Sequence, residues 1–132
     1  MIGLDTNILL RAFVNDDPLQ GASARKFLNQ PDDRAPKFVG LIVVVEFAWS
    51  LRRTYGYSRQ AVLHAVRQIL EASDTVVQRR DLVSSCVALG TGINSELSDL
   101  LIGQGNLEDG CERTLTFDRK AARRVPGMEL LA

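Results

Sequence analysis

Short apolar runs alternate with longer amphipathic segments along this chain, and the alternation predicts its elements. The run from Met1 to Asp5 is too short for a helix and predicts a buried strand that ends on a polar residue. Ser58 precedes a segment with apolar side chains three and four positions apart, which predicts an amphipathic helix. The same criteria predict strands at 37–39, 74–78, 113–117 and 128–131, helices at 40–53, 81–89 and 118–124, helices beginning at Asp17 and Ser95, and loops at 30–36 and 90–94.

Strands that alternate with helices predict a parallel sheet with helices on both faces, so the expected fold class is α/β. The chain has 132 residues, which is enough for one compact domain, and we expect a single domain over residues 1–132. Segment 41–51 fits either a β-branched strand or a buried helix, and its length favours the helix.

Composition narrows the class of protein. No apolar run approaches the ~20 residues needed to span a bilayer. The N-terminus lacks the basic region and the small-residue cleavage site of a signal peptide, so we expect a cytoplasmic protein without a membrane segment. Cys86 and Cys111 are then expected to be reduced. The formal net charge of zero argues against indiscriminate, charge-driven binding of nucleic acid.

Acidic residues interrupt four strongly apolar segments that lie far apart along the chain. They are Asp5, Glu46, Asp99 and Asp118. A buried carboxylate is costly unless something neutralises it, and mutual repulsion would add to that cost if the four converge. A hard divalent cation would remove the penalty, because Mg²⁺ and similar ions take carboxylate and water ligands. The pattern therefore predicts a metal site.

The predicted elements place these acids where α/β proteins bind ligands, beyond the carboxyl ends of the strands. Asp5 and Asp118 each follow a strand and precede a helix, and Asp99 lies near the start of its helix. Each has an alternative interpretation. Asp5 and Asp118 could merely cap helices, and Asp99 could merely be a first-turn acid that the helix dipole stabilises. Glu46 could point to solvent. A shared site explains all four together.

Four motifs in order carry a resemblance to a known family: Leu-Asp-Thr-Asn-Ile-Leu-Leu at 4–10, Glu-Phe-Ala-Trp-Ser-Leu-Arg-Arg at 46–53, Ser-Asp-Leu-Leu-Ile at 98–102, and Leu-Thr-Phe-Asp-Arg at 115–119. Together they resemble the PIN-domain ribonucleases, and among these the VapC-type toxins of bacterial toxin–antitoxin pairs. The resemblance implies a five-stranded, mostly parallel sheet and hydrolysis of RNA phosphodiester bonds that depends on one or two Mg²⁺ or Mn²⁺ ions. It also implies a homodimer and a cognate antitoxin protein as inhibitory partner.

The resemblance assigns roles to particular residues. Asp5, Glu46, Asp99 and Asp118 match the family's acidic quartet, which would bind the metal and carry catalysis. Thr116 matches a hydroxyl residue near the metal, and Asn7 matches a polar residue that orients the first aspartate. Glu96 stands where an aspartate is common, and Gly103 and Gly105 interrupt a helix that is usually richer in alanine.

The chemistry of such a site is the delivery of a metal-activated water in line with a phosphodiester phosphorus, with Asp118 or Glu46 accepting a proton. No His, Cys or Ser nucleophile is required, and His64 is expected at the surface. Basic residues directly follow the last acid, at Arg119, Lys120 and Arg123, and are candidate RNA contacts.

Two other functions fit parts of the pattern. Asp5 at the end of the first strand would suit an aspartyl-phosphate phosphatase or receiver-like domain, although Asn7 stands where a second aspartate would be expected. A catalytically inactive PIN-like module would bind RNA or a partner without cleaving it. The apolar positions around Phe47, Trp49 and 62–70 fit either core packing or contacts with a second copy or an antitoxin.

Overall fold

The computed structural model describes residues 1–30 and 34–131, so part of the predicted loop at 30–36 lies outside the described residues. Among these residues, two helices separate each of the first three strands from the next, and one helix separates the last two strands. In order they are β1 (Ile2–Gly3), α1 (Thr6–Phe13), α2 (Pro18–Leu28), β2 (Lys37–Val39), α3 (Leu41–Arg53), α4 (Arg59–Glu71), β3 (Thr75–Val77), α5 (Arg80–Gly92), α6 (Leu97–Glu108), β4 (Thr114–Thr116), α7 (Arg119–Arg124) and β5 (Met128–Leu130).

The strands form two small parallel sheets. One has the order β1-β2-β3, with Ile2 opposite Lys37 and Lys37 opposite Thr75, and the other pairs β4 with β5. The α/β class is therefore confirmed, whereas the single five-stranded sheet implied by the resemblance is wrong. Because β1 has only two residues, the edge that it leaves free offers few backbone groups for a further strand.

Side-chain caps explain where several helices begin. Asp17 accepts a hydrogen bond from the backbone N–H of Gln20, and Ser58 accepts one from that of Ala61, so both predicted helix starts are confirmed. Ser95, in contrast, is not the cap of α6. Glu96 occupies that position and makes no side-chain capping hydrogen bond.

The predicted loop at 90–94 is partly wrong, because α5 continues to Gly92. Tertiary packing outweighs the low helix propensity of its glycines. Gly90 is buried, and a Cβ built on it would lie 2.9 Å from Leu63 Cδ2. The missing side chain allows α5 to pack closely on α4.

A hydrophobic cluster runs from Leu4, beside β1, to Met128 in β5, so the core includes residues from both ends of the described chain. The helical interpretation of segment 41–51 is confirmed, and α3 buries Val44, Phe47, Ala48 and Leu51. The rings of Phe13 and Phe47 meet edge to face with centroids 5.3 Å apart. Helix α3 therefore holds the first sheet and the other helices around one core.

Gly103 brings α6 close to the C-terminal part of the chain. A Cβ at this position would lie 2.7 Å from Val125 Cγ1, closer than two such atoms can approach without a shift. The glycine that departs from the family pattern thus fixes how near α6 lies to α7 and β5. This spacing matters because α6 carries Asp99 and α7 follows Asp118.

Other expectations concern titratable side chains outside the four acids. Both cysteines are free thiols, with Cys86 buried and Cys111 exposed. His64 is exposed, as expected. Lys37 is only 2% exposed and forms an ion pair with Asp74 at the amino-terminal edge of the first sheet. No helix within residues 1–30 and 34–131 has the length and hydropathy of a membrane-spanning segment.

Candidate functional site

The carboxyl ends of the three strands in the first sheet meet at one edge. Helix α1 begins there after β1, capped by Asp5, and α3 begins there after β2. The side chain of Gln78, which follows β3, accepts a hydrogen bond of 2.8 Å from the backbone N–H of Leu41. This contact joins the start of α3 to the end of β3, so the helix that carries Glu46 is anchored at the edge where open α/β sheets usually bind ligands.

Asp5 and Glu46 meet through Thr6. The backbone N–H of Thr6 donates to Asp5 Oδ1 at 2.9 Å, and its buried hydroxyl donates to Glu46 Oε1 at 3.0 Å. The structure therefore brings the first two acids together, from residues 41 positions apart in the sequence. Thr6 was missed because a threonine between two polar residues gives no signal of a long-range partner.

Asn7 makes no hydrogen bond to Asp5 within the described part of the chain, and its orienting role stays a prediction. Asn7 is exposed on α1 and lines a surface depression with Ile8 and Arg11. The helix begins at Thr6, so the side chain of the next residue turns away from the cap. The hydrogen bond that Asp5 Oδ1 accepts comes from the backbone N–H of Thr6.

Asp99 and Asp118 form the second pair of acids. Asp99 lies half-buried in the first turn of α6, and its pKa is raised, first by burial and then by the negative charges of Asp118 and Glu96. The positive charge of Arg53 opposes this shift. Asp118 is therefore close enough for its negative charge to oppose the ionisation of Asp99, although the two come from elements separated in sequence.

Asp118 is held by its own backbone. Its Oδ1 accepts a hydrogen bond of 3.0 Å from the N–H of Ala121, which caps α7, and its N–H donates to Thr116 Oγ1 at 3.0 Å. Thr116 thus lies beside the fourth acid and fixes the turn between β4 and α7. Asp118 therefore caps α7, and this role does not exclude a second one in a shared site.

The four acids are less buried than their apolar sequence neighbours predict. Asp5, Glu46 and Asp118 are exposed, and Asp99 is only half-buried. The physical reason is that strand ends and helix caps lie at the surface, while their apolar neighbours turn inward. Among residues 1–30 and 34–131, no three His, Cys, Asp or Glu side chains are grouped as a ready-made cation site.

A cavity of about 100 Å³ lies between α3, α4 and the start of α6. Arginines, serines and acids all line it, together with an indole ring. The lining includes Trp49, Arg52, Arg53, Arg59, Ser95, Glu96, Ser98, Asp99 and Asp118. One acid is already neutralised, because Arg52 Nε donates to both carboxylate oxygens of Glu96, at 3.0 and 3.2 Å.

Arg59 is the residue of this cavity that sequence patterns gave no means of finding. Its Nη1 atom is buried and has no hydrogen-bond partner. Trp49 and Arg53 gave a partial signal, because their spacing of four residues places them on one side of α3. The expected RNA contacts on α7, at Arg119, Lys120 and Arg123, are exposed and lie outside the cavity lining.

No protein-family model matches the chain, and no curated protein matches it. The donor atoms of the site indicate which ligand it could bind. All four acids offer oxygen ligands, which suit a hard cation. Mg²⁺ is commonly bound through one or two carboxylates and keeps several waters, so the pair Asp99 and Asp118 fits it without a closed cage. Burial first, and then the negative charge of Asp118, raise the pKa of Asp99, and a bound cation would offset both costs of its ionised form.

Proposed function

We propose that this chain is a metal-dependent endoribonuclease of the PIN-domain, VapC type, which acts in the cytoplasm as the toxin of a toxin–antitoxin pair. The observation that carries the proposal is the approach of Asp99 to Asp118 at a cavity lined by arginines. The paired acids can hold a metal ion, and the neighbouring arginines can bind a negatively charged backbone, so the site suits a substrate that contacts both. A phosphodiester of RNA is such a substrate.

Asp99 and Asp118 would hold Mg²⁺ or Mn²⁺, with Asp5 and Glu46 completing the acidic quartet. When bound, the cation supplies a water of lowered pKa and neutralises charge on the phosphate oxygens. The protein's own residues fix the acids in position. Thr6 fixes the Glu46 carboxylate through a hydrogen bond of 3.0 Å, and Glu46 can accept a proton from water at this edge.

The direct test is cleavage of a long single-stranded RNA by the purified chain in Mg²⁺ or Mn²⁺, and in EDTA. Asp99→Asn and Asp118→Asn should each lower the rate at least about 100-fold. Asp81→Asn is the matched control, because Asp81 is an exposed acid in the first turn of α5, as Asp99 is in the first turn of α6. It should leave the rate unchanged.

The chemical structure of the product ends distinguishes this activity from that of a contaminating nuclease. Attack by water leaves no 2′,3′-cyclic phosphate, whereas an enzyme that uses the 2′-hydroxyl as nucleophile produces one. Cleavage that persists in EDTA, yields cyclic phosphate, or is equal in the Asp99→Asn and Asp81→Asn variants would contradict the proposal.

A catalytically inactive module is the second candidate, and it is favoured by the lack of a ready-made three-acid group among the described residues. Mn²⁺ should raise the melting temperature of a true metal site but not that of an inactive one. An aspartyl-phosphate enzyme is not favoured. Lys37, which could otherwise balance a phosphate, is buried with Asp74 at the opposite edge of the sheet.

A second copy of the chain and a cognate antitoxin are the protein partners that accompany this proposal. Large apolar side chains on the surface support it, among them Ile42 on α3 and Phe117 after β4, which are 77% and 79% exposed. Size-exclusion chromatography with light scattering would test the homodimer.

A further inference from the structure

We propose that Trp49, Arg53 and Arg59 form a nucleotide subsite beside Asp99 and Asp118. In this subsite the guanidinium groups bind a backbone phosphate of single-stranded RNA and the indole stacks on an adjacent base. The inference rests on the proposed function, because it names how the RNA would be held next to the acids.

Arg59 provides the first argument. It lines the cavity from the first turn of α4, and its Nη1 is buried without a hydrogen-bond partner. A buried donor without a partner is costly and uncommon in folded proteins. A phosphate oxygen entering the cavity would supply the missing acceptor, and guanidinium and phosphate groups match each other in charge and shape.

The distribution of charge around the cavity provides the second argument. Arg52 is already engaged by both oxygens of Glu96, so it is not free for a ligand. Arg53 and Arg59 have no such ion pair within the described ranges. These two cations lie in the same lining as Asp99 and Asp118. A phosphate held by them would therefore lie next to the acids that the reaction needs.

Trp49 provides the third argument. It lines the same cavity and remains 52% exposed, so its indole is accessible to a base of a bound strand. It precedes Arg53 by one helical turn on α3, which puts the ring and the guanidinium on one side of the helix. Single-stranded RNA is bound through such combinations, with bases stacked on aromatic rings and phosphates held by arginines.

The subsite can be observed directly, because Trp49 is the single tryptophan of the chain. The probe is a single-stranded RNA of about five nucleotides, added to the wild type in EDTA and to the Asp99→Asn variant in Mg²⁺. Stacking of a base on the indole should quench its emission to a saturable limit. Inorganic phosphate alone should bind more weakly and should not reproduce the quenching.

Arg59→Gln should weaken RNA binding about tenfold or more. Arg67→Gln is the matched control, because Arg67 lies on the same helix but outside this cavity. Trp49→Ala should weaken binding of a dye-labelled RNA about fivefold or more, and Trp49→Phe should restore part of it. Because Arg59→Gln removes an unpartnered buried donor, its melting temperature should not fall, which excludes unfolding as the cause.

The dependence of RNA affinity on salt concentration reports the number of phosphate contacts. A single-stranded ligand loses affinity with a logarithmic slope of about −0.7 for each phosphate contact. Arg59→Gln should reduce the magnitude of the measured slope by about that amount, whereas Arg67→Gln should not change it.

Failure of the inference and failure of the proposed function give different results. Quenching that depends on Arg59, without cleavage in Mg²⁺ or Mn²⁺, would support the subsite and reject the nuclease. Cleavage without quenching, and with equal affinity in the Arg59→Gln and Arg67→Gln variants, would overturn the subsite and leave the nuclease standing. Emission that changes with protein concentration but not with RNA would mean that a second copy covers Trp49, and this too would overturn the inference.

Discussion

Asp99 gives the sharpest test of the electrostatics, because its pKa is raised by burial and by the charges of Asp118 and Glu96. A carboxyl whose pKa is higher in the folded state favours folding when protonated. Its stabilising contribution is present below the ordinary value of 3.8 and is lost as pH rises through the folded pKa. At neutral pH and without divalent cations, the ionised form therefore lowers the free energy of unfolding.

Asp99→Asn removes this penalty. The carboxyl is about half exposed, so solvent screening reduces the repulsion to the range of surface charge pairs, about 0.2–1 kcal/mol for each pair. With Asp118 and Glu96 opposing the charge and Arg53 favouring it, we expect Asp99→Asn to be about 0.5–1 kcal/mol more stable than Asp81→Asn, which loses a similar helix-dipole interaction but relieves no such repulsion. For 132 residues this corresponds to a difference in melting temperature of about 2–4 °C between the two variants.

Asp81→Asn supplies the control for the helix dipole. Both residues are acids in the first turn of a helix, so both substitutions lose the same favourable interaction, about 0.3–1 kcal/mol. Asp81→Asn should therefore be slightly destabilising, whereas in Asp99→Asn the relieved repulsion should offset the loss of the dipole interaction. Urea unfolding in EDTA at several pH values from about 4 to 7 measures both differences.

Two results would refute the reasoning. A loss of stability in Asp99→Asn equal to that in Asp81→Asn would mean that the acids do not repel one another. A difference between the two variants that stays constant as pH falls towards 3.8 would mean that ionisation of Asp99 is not its source. Adding Mn²⁺ should stabilise the wild type and Asp81→Asn more than Asp99→Asn, because the first two keep the full pair of ligands.

The remaining predictions concern packing, the first pair of acids and the thiols. Gly103→Ala should lower the free energy of unfolding by about 1–3 kcal/mol, because its Cβ would lie 2.7 Å from Val125 Cγ1, and an unchanged melting temperature would contradict this close packing. Thr6→Val should lower RNA cleavage by removing the hydroxyl bound to Glu46, whereas Thr6→Ser, which keeps it, should retain activity. A thiol reagent should modify only exposed Cys111 in the native protein, since burial raises the pKa of the Cys86 thiol to about 12, and rapid modification of both would refute its burial.

The elements of the fold were largely predictable because their signals are local. Pro18 after an aspartate, Ser58 before an apolar period, and short β-branched runs each determine structure within a few residues. The errors arose where tertiary contacts decide. Gly90 stays helical because it packs on Leu63, and the division into two sheets follows from how few residues β1 contributes.

The candidate site was predictable only in part, for the same reason. The acids were visible because a charge within an apolar segment is unusual, although the apolar context overstated their burial. Thr6 and Arg59 could not be identified from the sequence. Thr6 donates a hydrogen bond to a residue far along the chain, and Arg59 lines a cavity formed with distant segments. Sequence patterns identify residues that are unusual where they stand, whereas a hydrogen bond across 40 positions depends on how the helices pack.

The placement of charge, rather than its total, decides what this surface can bind. With 16 basic and 16 acidic residues the chain has little long-range attraction for a polyanion. Three arginines face three acids around the cavity, and the pairing of Arg52 with Glu96 removes one of each from the balance. An RNA would then be held by short-range contacts to the two remaining arginines and the indole. Such a site should favour an unpaired nucleotide whose base can reach the ring over a duplex, in which the bases are already stacked.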